Sequence, residues 1–220
     1  MKELIKKYYL RFIMILIGNI FVGISVYFYV ISNIGANSIN AFCLGIANLL
    51  SKILNRNVSS GIGVTVGSIL MCILLLIFGR KYLNIGTIVS LFSIGPICDL
   101  LLYLNMLPTS DNLFICIIYS LLAVVACAIG VAIIIKANFG TSPFDGVSLM
   151  IKDYIKINYA IIRILFDGLL FLLAYLMGST IGIGSLISVI LTGPLITAFK
   201  KLLDLLCKNK DNKEVQADVK

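Results

Sequence analysis

Long apolar runs separated by short polar breaks set the elements of this chain. Six runs are predicted to cross a bilayer as helices: Phe12–Val30, Gly63–Phe78, Gly86–Leu104, Leu113–Ile135, Ile161–Met177 and Gly184–Phe199. A helix rises about 1.5 Å per residue, so a hydrocarbon core about 30 Å thick asks for roughly 20 apolar residues. Two shorter helices fall between runs. Asn37–Leu54 follows the first run and Ser142–Tyr154 follows the fourth.

The breaks before the two short helices are the most informative stretches. In Gly140-Thr141-Ser142-Pro143-Phe144-Asp145-Gly146, the glycine permits a turn, Ser142 suits an N-cap, Pro143 suits the first helical position and Asp145 stands where a capping box places an acid. A helix starting there holds free N–H groups and a positive dipole end near Asn138–Ser142. Two readings stay open. One is a tight surface turn before an interfacial helix. The other is a helix start at membrane depth, tolerated only where the backbone is buried in protein or lines a cavity.

The break occurs twice. Gly35-Ala36-Asn37-Ser38-Ile39-Asn40-Ala41 holds the same place in the first half, with Asn37 for Ser142 and Asn40 for Asp145. Gly86 followed by Gly95-Pro96 matches Gly184 followed by Gly193-Pro194, and Gly79 and Gly178 close the preceding runs. A tandem repeat is expected, 1–106 and 107–206, followed by a polar cytoplasmic tail, 207–220, without regular structure from Lys208.

Composition agrees with a membrane protein: 220 residues, 60% hydrophobic and 13% charged, with mean hydropathy +1.07. The net charge of +8 could suggest nucleic acid, but the charges sit at the ends and in short loops, so no nucleic-acid partner is expected. The first run follows Lys2, Lys6, Lys7 and Arg11 as a signal peptide would, yet it is too long for one and no clear cleavage site follows. If both short helices enter and leave on one side, six spans result. One side then holds the N-terminal cluster, Arg80, Lys81, Lys136, Lys152, Lys156 and the C-terminal lysines, against Lys52 and Arg56 on the other. If both cross fully, eight spans result and the bias weakens. The expected fold is therefore an all-α integral membrane protein of about six transmembrane helices plus two short re-entrant or interfacial helices, in two inverted repeats, with both termini cytoplasmic. Eight spans with parallel repeats is the alternative.

Candidate chemistry is sparse. No histidine is present, the six cysteines form no C-x-x-C pair, and five of them lie inside apolar runs. No metal, cofactor or enzymatic activity is expected, and the cysteines read as packing residues. Arg163 and Asp167 share a helix face in the fifth run. An isolated charge there costs roughly 2.5–3.5 kcal/mol, so the two pair, either as a self-neutralised bridge or facing a polar cavity. Asp99 lies just after Gly95-Pro96, and its counterpart in the second half is Thr197. It either touches water near a span end or faces the interior. Gly18, Gly23, Gly67, Gly95, Gly168 and Gly193 allow close helix approach. Tyr8, Tyr9, Tyr103, Tyr154 and Tyr159 fall near run ends, where interfacial aromatics sit.

Taken in order, Gly140-Thr-Ser-Pro-Phe-Asp-Gly, Arg163-x-x-x-Asp167, Gly178-Ser-Thr-Ile-Gly-Ile-Gly184 and Gly193-Pro194 resemble the YczE/YyaS/YitT family of bacterial membrane proteins. The resemblance runs from about Gly18 to Phe199, and the first break departs from it in lacking the proline and the acid. It implies a bacterial cytoplasmic-membrane protein of transporter-like build. The expected function is a carrier of a small polar or anionic solute. Its binding residues would be Arg163, Asp167, Asp145, Ser142, Asn37, Asn40 and Asp99. The alternative is a non-transporting membrane factor that assists a partner complex. A homodimer would suit a chain of this size.

Overall fold

The computed structural model describes residues 2–137, 139, 142–157 and 159–217, with side chains at 8–137, 139, 142–157 and 161–205. Eight α-helices follow in order: α1 (Lys2–Ser32), α2 (Ser38–Leu54), α3 (Ser60–Phe78), α4 (Ile85–Leu104), α5 (Leu113–Ala137), α6 (Pro143–Ile155), α7 (Tyr159–Leu176) and α8 (Ile183–Ala217). A single 3-10 turn, Arg80–Tyr82, joins α3 to α4, and the described residues form no strand. Among the described residues, five segments are long and apolar enough to cross a membrane: Tyr8–Ser32, Ser60–Phe78, Ile85–Leu104, Leu113–Ala137 and Ile183–Leu205. They match five of the six predicted runs. The sixth is α7, 18 residues long, which carries Arg163 and Asp167.

The helix ends follow local chemistry. Asn37 caps α2, its side chain accepting from the Asn40 N–H, and Ser142 caps α6 ahead of Pro143. Asn55, Asn105 and Lys156 close α2, α4 and α6 in the left-handed region. The last helix has no comparable stop. Beyond Phe199 it meets Lys, Leu, Glu, Gln and Ala with no proline or glycine, and it stays helical to Ala217. The segment from Lys208, expected to lack regular structure, is therefore helical up to that residue.

α1 and α5 form the central antiparallel pair. A side chain at Gly18 would sit 2.9 Å from Gly130 O, so the two backbones touch there. α4 packs on α1 and α8 packs on α5. Beside them stand α2, α3, α6 and α7, with α2 and α6 each lying against both α3 and α7. Gly23 meets Ile97, Gly67 meets Cys43, and Gly95 meets Gly61 and Thr65, as close-approach glycines should. Gly168 and Gly193 do not: nothing lies within 4 Å of a side chain built at either. The reason is that α3 packs on α4, whereas α7 makes no comparable contact with α8.

Opposed short helices occupy the middle of this second group. The C-terminal end of α2 meets that of α7, with Asn48 Nδ2 donating to Gly178 O at 2.9 Å. The C-terminal end of α6 meets that of α3, where Tyr154 OH donates to Phe78 O at 3.0 Å. Their N-termini converge on the middle of α7 through Ser38 and Asp145. So α2 and α6 point N-terminus to N-terminus and leave at opposite ends of the bundle. The end that receives α6 also gathers the start of α1, through the Tyr8–Phe139 ring contact, and the Lys136–Asp204 bridge.

Candidate functional site

The convergence point is an ionic network. Arg163 Nε donates to Asp167 Oδ2 at 2.9 Å, one helical turn away. Arg163 Nη1 donates to Asp145 Oδ1 on the first turn of α6. Asp167 Oδ1 in turn accepts from Ser38 Oγ at 2.6 Å, on the first turn of α2. Three helices are thereby tied at their polar points: the N-termini of two short ones and the middle of α7. The sequence expected Asp145 to complete a capping box. Its N–H does donate to Ser142 Oγ at 3.3 Å, but its carboxylate turns to the guanidinium, a stronger partner in an apolar setting.

Two carboxylates face one guanidinium, which leaves one negative charge. Two helix N-termini, each equivalent to roughly half a positive charge, offset it. The site is thus close to neutral as a whole. It is also not sealed: the Arg163, Asp145 and Asp167 side chains are 28%, 28% and 29% exposed.

The polar lining continues toward α1, α5 and α8. Asn37 Nδ2 reaches Cys127 Sγ at 3.7 Å. Ser25 lies beside that thiol and Tyr29 beside Ser188. The described contacts give Ser25 Oγ, Tyr29 OH and Ser120 Oγ no hydrogen bond of ordinary geometry, although all three are buried. A membrane interior makes unpaired polar atoms costly, so a run of them marks this as the polar side of the bundle.

The other expected site residues divide. Asn40 is buried, and its N–H serves the Asn37 cap. Asp99 does not join the Arg163 network through any described bond. Its carboxylate accepts from Ser59 Oγ at 2.6 Å and from the Gly61 N–H at 2.8 Å, so it caps the N-terminus of α3 from across the α3–α4 seam. Asn138, Gly140 and Thr141 lie outside the described residues, as does the side chain of Tyr159.

A family of unknown function, DUF6198, matches residues 11–201. The chain belongs to this family. Similar proteins include two from Bacillus subtilis (strain 168). The uncharacterized protein YyaS is 28% identical over 205 residues, which is 88% of this chain and 95% of that one. The uncharacterized membrane protein YczE is 29% identical over 137 residues, 60% of this chain and 63% of that one. No solved structure matches. The resemblance read from the glycine and Arg-x-x-x-Asp motifs therefore holds, and the molecule is a membrane-embedded, multi-pass helical protein.

Members of the network were missed in the sequence for an identifiable reason. Ser38 lies 129 positions from Asp167, and no periodicity connects them. A usable signal was present: a hydroxyl on the first turn of a helix predicted to start at membrane depth needs a partner there. Ser59 had the weaker signal of a serine two residues before a glycine-rich helix start. Cys127 read as packing alone, and it is fully placed in the α5 core.

Proposed function

We propose that this protein is a carrier of a small polar solute, bound where the N-termini of α2 and α6 meet Arg163 and Asp167. The observation that carries the reading is the single network joining both helix starts to α7. Opposed half-helices with N-termini near the midplane are a recurrent transporter arrangement, and they place free N–H groups at the site without further side chains. Because the charges nearly balance, the site suits a neutral or zwitterionic solute better than a bare anion. An anion would have to displace a carboxylate from Arg163.

The same arrangement supports the inverted-repeat reading and six spans. Lys81, Lys136, Lys152 and Lys156 then mark the cytoplasmic face together with both termini, in a bacterial cytoplasmic membrane. No step of this function calls on bond-breaking chemistry.

The test is a thermal-shift screen of purified protein against sugars, amino acids, nucleobases and small anions, beside Ser38→Ala and Asp167→Asn. A ligand at a hundred times its Kd adds about 2.7 kcal/mol, which is roughly 5–10 °C for a chain of this length. A neutral or zwitterionic compound that stabilises the wild type and loses its effect in both variants supports the reading. No stabilising compound, together with a stoichiometric partner in a mild-detergent pull-down, would replace it with the partner-assisting membrane factor.

A further inference from the structure

The two halves pack alike except at one place. α1 with α4 corresponds to α5 with α8, α2 with α3 to α6 with α7, and α2 with α7 to α6 with α3. The exception is the α3–α4 seam, which is closed, against the α7–α8 seam, which is not. Closure of the first is specific. Gly61 and Gly95 bring the backbones together, and Asp99 on α4 holds Ser59 Oγ and the Gly61 N–H at the start of α3. At the second, Gly193 stands where Gly95 does and Thr197 where Asp99 does. Gly168 and Gly193 are open, and the Thr197 hydroxyl donates only to Gly193 O of its own helix. In the apolar span of α8 only 6% of the residues are buried, against 33% in that of α4.

We propose that the opening between α7 and α8 is the path by which a solute reaches the Arg163 network, and that the α3–α4 seam is its counterpart, opening when the α7–α8 seam closes. This rests on the carrier reading above. Three observations support it. Arg163 and Asp167 lie on α7 next to the open Gly168 and are themselves part-exposed. The short helices leave the network toward opposite ends, so one seam serves each end if the halves are inverted. Packed interfaces are bistable rather than continuously deformable, and the present structure shows one closed seam and one open one. Asp99 is then the latch of the closed seam. Its absence from the second half gives the α7–α8 seam a weaker closed form and sets the resting state to the one seen.

Spin-label distances in nanodiscs test this without any ligand. In a background with the native cysteines replaced by alanine, one pair, Gly168→Cys with Gly193→Cys, reports on α7–α8. A second pair, Leu70→Cys with Ile88→Cys, both exposed positions, reports on α3–α4. Wild type is expected to show a short α3–α4 distance and a longer α7–α8 distance, with any exchanged population at roughly 0.1–10%. Asp99→Ala should raise the exchanged population several-fold, lengthening the first distance and shortening the second together. Joining Gly168→Cys to Gly193→Cys with a short bifunctional linker leaves Asp99 intact and should lengthen α3–α4. If Asp99→Ala moves only α3–α4, or the linker leaves α3–α4 unchanged, the seams are independent and Asp99 is a cap alone. Exchanging distances with no solute found would retain the device and remove the carrier. A bound solute with independent seams would do the reverse.

Discussion

The α3–α4 and α7–α8 seams, which correspond under the proposed repeat, each have a Gly-Pro pair, in α4 and in α8, yet the first is closely packed and the second is not. The difference lies in where each half spends its polar groups. In the first half, the carboxylate of Asp99 crosses the seam and satisfies the start of α3. In the second, Asp145 and Asp167 turn to Arg163 and to the short helices, and among the described bonds of these three none reaches α8. A glycine therefore permits a close approach without producing one. Gly95 and Gly193 have the same spacing and neighbouring proline, and only the one beside an inter-helix bond is in contact.

The largest expected effect comes from removing what holds α7. Since α7 packs on α2 and α6 far more than on α8, it depends mainly on those helices and on the network. Arg163→Ala strips two carboxylates of their partner at once. Breaking a fully buried pair costs roughly 3–5 kcal/mol, and the 28% exposure of Arg163 places this case at or below that range. Hydrogen exchange should show α6 and α7 opening while α3 and α4 keep their protection. The triple change Arg163→Met, Asp145→Asn, Asp167→Asn should recover most of the loss, because no charge is left unpaired. Equal loss of protection in α3 and α4 would show that the halves are not separately held.

Next come the glycines, as a direct contrast. In Gly61→Ala the added methyl collides with Gly95 O, and in Gly95→Ala it lies 2.5 Å from Gly61 O, with backbone on both sides. Each should lower stability by about 1–3 kcal/mol through overpacking. Gly168→Ala and Gly193→Ala meet open space and should raise stability by up to about 1 kcal/mol through helix propensity. Thermal unfolding in one detergent reads all four. A cost at Gly193 matching that at Gly95 would mean that the second seam is closed in solution.

How far the sequence could be read follows from the same contrast. Helix starts at Asn37 and Ser142 were legible because capping is written within four residues. The Arg163–Asp167 pair was legible because helical spacing puts it on one face. Ser38 on Asp167 and Ser59 on Asp99 were not, because each joins helices whose approach is decided by packing. The openness of Gly168 and Gly193 was invisible for the same reason, since composition states what a helix permits and not what it meets. Five of the cysteines, read as packing residues, are buried and free, and the side chain of Cys207 lies outside the described residues.

Smaller than these is the effect at Asp99. Asp99→Ala removes two acceptors from the start of α3 and should cost about 1–2 kcal/mol, whereas Thr197→Val, at an exposed site bonded only within α8, should change melting by under about 0.5 kcal/mol. Comparable values would remove the asymmetry between the seams. Asp99→Asn separates charge from size: its single amide oxygen can take the place of Oδ1 toward the Gly61 N–H or of Oδ2 toward Ser59 Oγ but not of both, so it should recover only part of the loss.

The smallest expected effect compares the far ends of the short helices. α2 docks on the second half through the neutral Asn48–Gly178 bond, while α6 docks on the first through Asp153, which Lys81 Nζ meets at 2.7 Å and Tyr82 OH also contacts. Lys81, and after it Tyr82, holds the Asp153 carboxyl below its ordinary value of 3.8. A group lowered in this way stabilises the fold above its unfolded pKa, and that contribution disappears as pH falls through the lower folded value. Asp153→Asn should therefore melt slightly below wild type at pH 7, and the gap should close as pH is taken from about 5 to below about 3.8. Asn48→Ala should show a gap that does not narrow over the same window, because neither of its partners titrates. Because the ionic dock is exposed, salt should also shrink the Asp153→Asn difference and leave Asn48→Ala unchanged. A pH-independent Asp153→Asn difference would mean that α6 is anchored by Tyr154 on Phe78 O, with the ion pair contributing nothing.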